Sequence, residues 1–289
     1  MGDHRRKRRG QVAVEAALIL PLLIFLALGI IQLTAMQHAK IMTEYAAFSG
    51  ARAGIVWNGN NQRMRDAALF ALLPTAGRTD DLPHLAASAA RQRATDLAIR
   101  KLPWSGTSPE QIHGSPLRGL VRVDVLNPTE ASFQSVQRAL QARLPLEEID
   151  FDQTESEAIR DAGVLTIRLR YWYELRIPLA NWLLFVCWYA AHSAADLGGS
   201  IDRPELAAHP GQAIAGESLS GPAVATPFGY PVADTDEMRI LWRLATGRLA
   251  TASRVGPRFY IPLDAVYSMR MQSNFYRKWL MHAGPSSWQ

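Results

Sequence analysis

Apolar residues fall along this chain with three different periods. Over residues 12–31 they are continuous: 20 residues carry one charge, Glu15, and one proline, Pro21. At a rise of about 1.5 Å per residue the run spans about 30 Å, the hydrocarbon thickness of a bilayer. Past Leu33 no breaker intervenes. Ala35, Ala39, Ala46, Ala47, Gly50, Ala51, Ala53 and Gly54 alternate with Ile41, Met42, Tyr45 and Phe48 in a helical pattern. One helix over 12–56, about 67 Å long, is predicted. The turn formers Asn58-Gly59-Asn60-Asn61 end it. Gly50 and Gly54 have the spacing that lets another backbone come close, a helix-packing signal.

Shorter helices are predicted at 62–73, stopped by Pro74, and at 85–102, followed by a Pro/Gly loop at 103–119. The period then becomes two. Leu120 to Leu126 alternates apolar with polar and reads as a half-buried strand closed by Asn127-Pro128. Thr129 N-caps a predicted helix to Leu144, with Phe133, Val136, Leu140 and Leu144 on one face. Residues 147–161 are acidic and read as surface.

From Gly163 a second strand sets Leu165, Ile167, Leu169, Tyr171, Tyr173 and Leu175 on one face. Thr166, Arg168, Arg170, Trp172, Glu174 and Arg176 lie on the other, with its arginines expected in solvent. A second apolar run, 177–191, holds Pro178 and Asn181 and is short for a span. It is a core helix on the sheet, an interfacial helix suited by Trp182, Trp188 and Tyr189, or a second span. Residues 196–235 form a Gly/Pro/Ala-rich insert. A helix at 237–252, extended chain at 260–273 and a short aromatic helix at 274–283 complete the pattern.

Charge orients these elements. The chain of 289 residues carries a net +5, of which the run Arg5-Arg6-Lys7-Arg8-Arg9 against Asp3 supplies +4. The basicity is therefore a topology signal that holds the N-terminus in the cytoplasm, and no nucleic-acid partner is expected. Cys187 is the only cysteine, so no intrachain disulfide forms. The organisation read from the sequence is a basic leader at 1–10, a transmembrane spine helix at 11–57, a periplasmic α+β domain at 58–195, the insert at 196–235, and the C-terminal part of that domain at 236–289. The fold class is α+β, with antiparallel strands and helices carried on the long N-terminal helix.

Glu15 needs a reason, because a carboxylate within the bilayer costs at least about 2.5–3.5 kcal/mol on insertion scales. A prepilin supplies one. Its peptidase cuts after a glycine behind a short basic leader, and the mature chain carries Glu at its fifth position. Cleavage between Gly10 and Gln11 makes Glu15 that residue. Gly10, Glu15, Pro21 and the string from Val14 to Leu23 resemble the TadE-like family, minor pilins or pseudopilins of tight-adherence, type IV pilus-like systems. Ala16 stands where that family usually has an aromatic. Ala46-Ala47-Phe48-Ser49-Gly50-Ala51-Arg52-Ala53 is similar to the segment after the span in that family. Arg270-Met271-Gln272-Ser273 is similar to its later part.

The resemblance implies an inner-membrane, single-pass protein, N-terminus in the cytoplasm and C-terminal domain in the periplasm, that helps assemble an adhesive pilus. Its partners would be the membrane, a prepilin peptidase, other minor pilins and the major pilin. Glu15 would neutralise the new amine of Gln11, on a neighbouring subunit or one turn back on its own chain, and Pro21 would kink the helix. An uncleaved anchored assembly factor is the alternative.

Catalytic chemistry finds little support. There is no phosphate-cradling loop, HExxH, CxxC or G-x-S-x-G. His192 and Asp196 share a helix spacing but make no metal site, and Ser218 and Ser220 have no base at a telling distance. Cys187 reads as a buried small hydrophobe. No enzyme activity, cofactor, metal or small-molecule substrate is expected. The remote alternative is a membrane-anchored periplasmic hydrolase using His192 or His209.

Overall fold

The computed structural model describes residues 3–100, 119–142, 144–153, 156–195, 241–242, 244–245 and 257–282. Contacts divide the chain into two compact units, 1–37 with 174–261 and 38–173 with 262–289. Helix α1 runs Asp3–Val56, 54 residues and about 81 Å. The class is α+β: this long apolar helix, shorter helices and antiparallel strands.

In the unit of 38–173 and 262–289, α1 contributes a buried stripe of Ala39, Thr43, Ala46, Ala47, Gly50, Ala51 and Gly54. Small residues at helical spacing let other backbone approach. Helix α2 (Asn61–Ala71) is capped by the Asn60 side chain, which accepts from Gln62 N and Arg63 N. Pro74 does not simply stop a helix, as the sequence suggested. It sits in the first turn of a short helix α3 (Leu73–Ala76), where its missing N–H is not needed. Helix α4 spans Leu82–Arg100, three residues earlier than expected because Pro83 also fits a first turn. The 103–118 part of the expected loop lies outside the described residues.

Strands β1 (Val121–Asn127), β3 (Val164–Glu174) and β4 (Tyr260–Arg270) form a sheet in the order β1-β3-β4. β1 and β3 are antiparallel, Val123 opposite Leu169. Contacts of Arg170 with Asp264, Thr166 with Ser268 and Gly163 with Met271 run antiparallel between β3 and β4. Helix α5 (Glu130–Ala139) starts in a capping box of Thr129 and Ser132. It is shorter than predicted: Phe133 and Val136 are buried, while Leu140 and Leu144 are exposed beyond its end. The acidic stretch is not all surface. Strand β2 (Glu148–Ile149) pairs with β5 (Phe275–Tyr276), and helix α6 (Glu157–Ala162) buries Ile159 and Ala162. A 3-10 turn, Arg277–His282, follows.

In the other unit, helix α7 (Ala180–Ala195) covers most of the second apolar run. Phe185 is buried against Trp188, Phe259 and Trp242, and Tyr189 lies 4.7 Å from Trp242. Residues 241–242 and 244–245 are helical, as expected of 237–252. The 196–235 insert lies outside the described residues.

Candidate membrane and assembly helix

The candidate site is α1. Along its first half the large apolar side chains point outward: Leu18, Leu20, Leu22, Leu23, Leu26, Ile30 and Ile31 are each more than half exposed. A helix segment whose large apolar side chains stand exposed among the described residues suits lipid rather than water. Among the described residues it is the one helix long and apolar enough to cross a membrane. That suggests a single-pass membrane protein.

The predicted residues fall on this helix in a definite order. Gly10 and Gln11 both have helical backbone inside α1, and Glu15, one turn on from Gln11, is exposed among the apolar side chains. Pro21 also lies inside α1, so the Ala17 carbonyl loses its helical partner while the helix continues. Residues 10–52 match the model of the TadE-like protein family.

The TadE-like segment begins at Gly10 and takes in Glu15, Pro21 and Gly50, leaving Gly54 two residues beyond its end. The match associates the chain with pilus components of the tight-adherence type. No curated protein and no solved structure matches the chain.

The end of the TadE-like segment is held from within. A methyl added at Gly50 would lie 3.2 Å from Ile167 Cδ1 and 3.3 Å from the Met64 carbonyl oxygen. One at Gly54 would lie 2.5 Å from Leu165 Cδ2 and 2.6 Å from Met64 Sδ. Both glycines therefore give α2 and β3 close access to α1. The C-terminal segment caps the same end: Ile55 O accepts from Gln272 N at 3.2 Å and from Ser273 Oγ at 2.8 Å. Asn58 N donates to Ser273 Oγ, and Asn58 Nδ2 to Asn274 O. A helix-end carbonyl otherwise left without a partner is thereby satisfied.

The second face of the sheet departs from expectation. Arg170, expected in solvent, is buried and donates from Nε and Nη2 to both carboxylate oxygens of Asp264, at 2.7 and 2.8 Å. Arg122 Nε donates to Asp124 Oδ1 at 2.7 Å, and Arg168 Nη2 to Asp124 Oδ2 at 3.4 Å. Three arginines and two aspartates so share one face, because buried charges need partners. Burial pushes the Asp264 carboxyl up, but Arg170 and then Arg168 and Arg122 outweigh it and hold it below the usual range. Burial pulls the Arg122 guanidinium down, with Asp124 opposing. Arg176 is half-exposed, as expected of a solvated charge.

The sequence reading missed Asp264 and Gln32. Asp264 stands alone among apolar Ile261, Leu263, Ala265 and Val266, and a lone carboxylate in a strand was the available signal. Gln32 is fully buried and accepts from Ile177 N at 2.9 Å, although it directly follows the apolar run.

The residues named for hydrolysis, the His192 side chain with Asp196, His209, Ser218 and Ser220, lie outside the described residues. Cys187, expected to be buried, is exposed on α7. Asp80, Asp81 and His84 form an exposed group, His84 Nδ1 being 3.4 Å from Asp80 Oδ1. A surface depression of about 530 Å³ is lined by Gln134, Gln137, Arg138, Gln141 and Ala142, none of them a nucleophile.

Proposed function

We propose that this chain is a minor pilin or pseudopilin of a tight-adherence, type IV-like pilus, inserted in the inner membrane with its C-terminal domain in the periplasm. A prepilin peptidase removes the leader after Gly10. The reading is carried by one observation: the TadE-like match begins at Gly10, and the single charged residue of the apolar run 12–31, Glu15, stands five residues on. The exposed first half of α1 supports it, since a subunit that enters a filament needs its apolar helix free to leave lipid for its neighbours.

In this mechanism cleavage frees the α-amino group of Gln11. Glu15 carries a cost in lipid that a cation offsets, so docking next to such an amine favours entry in register. The charge pair sets position along the bundle, and the apolar surface of α1 supplies the area. Sister minor pilins and the major pilin are the partners. The residues Gly50 and Gly54 act inside the subunit, seating the helix on its own domain.

N-terminal sequencing and intact mass of membrane-extracted protein test cleavage: a chain starting at Gln11 supports the proposal, and an intact leader gives an uncleaved anchor instead. Glu15→Ala tests the docking step. Piliation, counted by microscopy in a strain carrying the variant at normal level, should drop severely, and unchanged piliation would remove Glu15 from the mechanism.

A further inference from the structure

Helix α7 is apolar on two opposite sides. Its inner side carries Ala180, Phe185 and Trp188, all buried. Its outer side carries Trp182, Leu183, Val186, Cys187 and Ala190, at alternating steps of one and three residues, with Leu179 just before it. Leu179 is 63% exposed and Trp182 56%. The stretch 177–191 holds no charged residue. A helix whose outer face is a tryptophan, leucine, valine and alanine stripe is not built for water.

The position of this stripe along α1 is fixed within the same unit. Ile177 N–H donates to Gln32 Oε1 at 2.9 Å, three residues before α7 begins. Gln32 is fully buried between Ile31 and Leu33, both of which are exposed. Counting back about 30 Å along the helix from Gln32 reaches residue 12, just behind the basic leader. The hydrogen bond therefore marks the level at which α1 leaves the hydrocarbon, and it holds the chain that leads into α7 at that level. Immediately before, Arg176 is exposed, its Nε 3.8 Å from Glu174 Oε2. The chain turns there through Leu179 at φ 68°, an uncommon conformation for leucine, held by Asn181 N donating to Ile177 O at 2.9 Å.

We infer that α7 is a membrane-interface helix: its outer stripe, from Leu179 and Trp182 to Ala190, lies in the headgroup region of the bilayer that α1 crosses. At 16 residues, about 24 Å, it is too short for a comfortable span. An indole with an apolar ring and an N–H tip suits the interface, and helices of this kind seat about 5–10 Å into the headgroup boundary. Two lipid contacts, α1 and α7, then fix the subunit's height in the bilayer before assembly. The inference rests on α1 spanning the membrane.

Cys187 lies on this stripe and is the only cysteine of these 289 residues, so the chain takes a single label there. The protein is labelled with an environment-sensitive fluorophore and reconstituted into vesicles of zwitterionic and anionic phospholipid. Some preparations carry a nitroxide near the headgroup, others near the chain terminus. Emission should shift to the blue, and the shallow nitroxide should quench it more than the deep one. Trp182→Glu with Val186→Glu, both outside the buried core face, should abolish the shift and the quenching while the protein still floats with the vesicles. A floating protein whose label stays unquenched overturns the inference. So does stronger quenching by the deep nitroxide, which means a span, or a shift that grows with protein density, which means a second copy. If the protein does not float at all, the spanning reading of α1 falls and this inference with it.

Discussion

Arg170 and Asp264 meet through two parallel hydrogen bonds on a face that also holds Arg122 and Arg168. Their value to the fold lies in the cost of separating them. With Asp264 neutralised, a buried guanidinium loses its counter-charge, and breaking such a pair from one side costs about 3–5 kcal/mol. Asp264→Asn in the full-length protein in detergent should lose about that much in chemical denaturation, whereas Arg176→Ala, at a half-exposed site, should lose little. The pair also sets an acid limit. Because the folded carboxyl is held below its ordinary value, its contribution is complete above the unfolded pKa of about 4. It is lost as pH falls from there through the lower folded value. Thermal melts should therefore drop on acidification below about pH 4, and less steeply in Asp264→Asn.

At the scale of elements, the seating of α1 depends on missing side chains. A methyl at Gly54 meets Leu165 and Met64, both fully buried and unable to move into solvent. Gly54→Ala should destabilise the protein by about 1–3 kcal/mol through overpacking. Gly29→Ala, with nothing within 4 Å, is the control on the same helix and should leave the melting temperature unchanged. Gly59 combines a positive φ of 75° with the Phe275 ring 2.1 Å from any added Cβ, so Gly59→Ala should be worse than Gly54→Ala in the same assay.

These elements also divide what a sequence can disclose from what it cannot. The apolar run of α1, the Thr129 cap and the alternation of β3 were legible because each is a local pattern, and each forms. The polar face of β3 was misread, because alternation says only that a face is polar. Whether Arg170 meets water or Asp264 depends on a partner 94 residues away. Pro74 and Pro83 were ambiguous for a local reason, since proline ends one helix and opens another with equal ease. Gln32 was hidden by its neighbours, and the Ile177 N–H that its Oε1 accepts is 145 residues away.

Taken whole, the molecule concentrates its charge asymmetry at one end. Residues 3–9 supply +4 of the net +5 directly before the apolar run, while the stretch just behind the run has Lys40 beside Glu44. Positive charge within about 15–20 residues of a span holds that side in the cytoplasm. The proposed orientation then requires a C-terminal alkaline phosphatase fusion, active only outside the cytoplasm, to be active. Replacing Arg5, Arg6, Lys7, Arg8 and Arg9 by neutral residues should lower that activity and raise fluorescence of a matching fusion that matures only inside. The same pair of fusions bears on α7. Two spans would return the C-terminus to the cytoplasm, silencing the phosphatase with the leader intact, whereas an interfacial α7 leaves it active. An active phosphatase in the unaltered chain, reversed by the leader change alone, fits only one crossing directed by the basic leader.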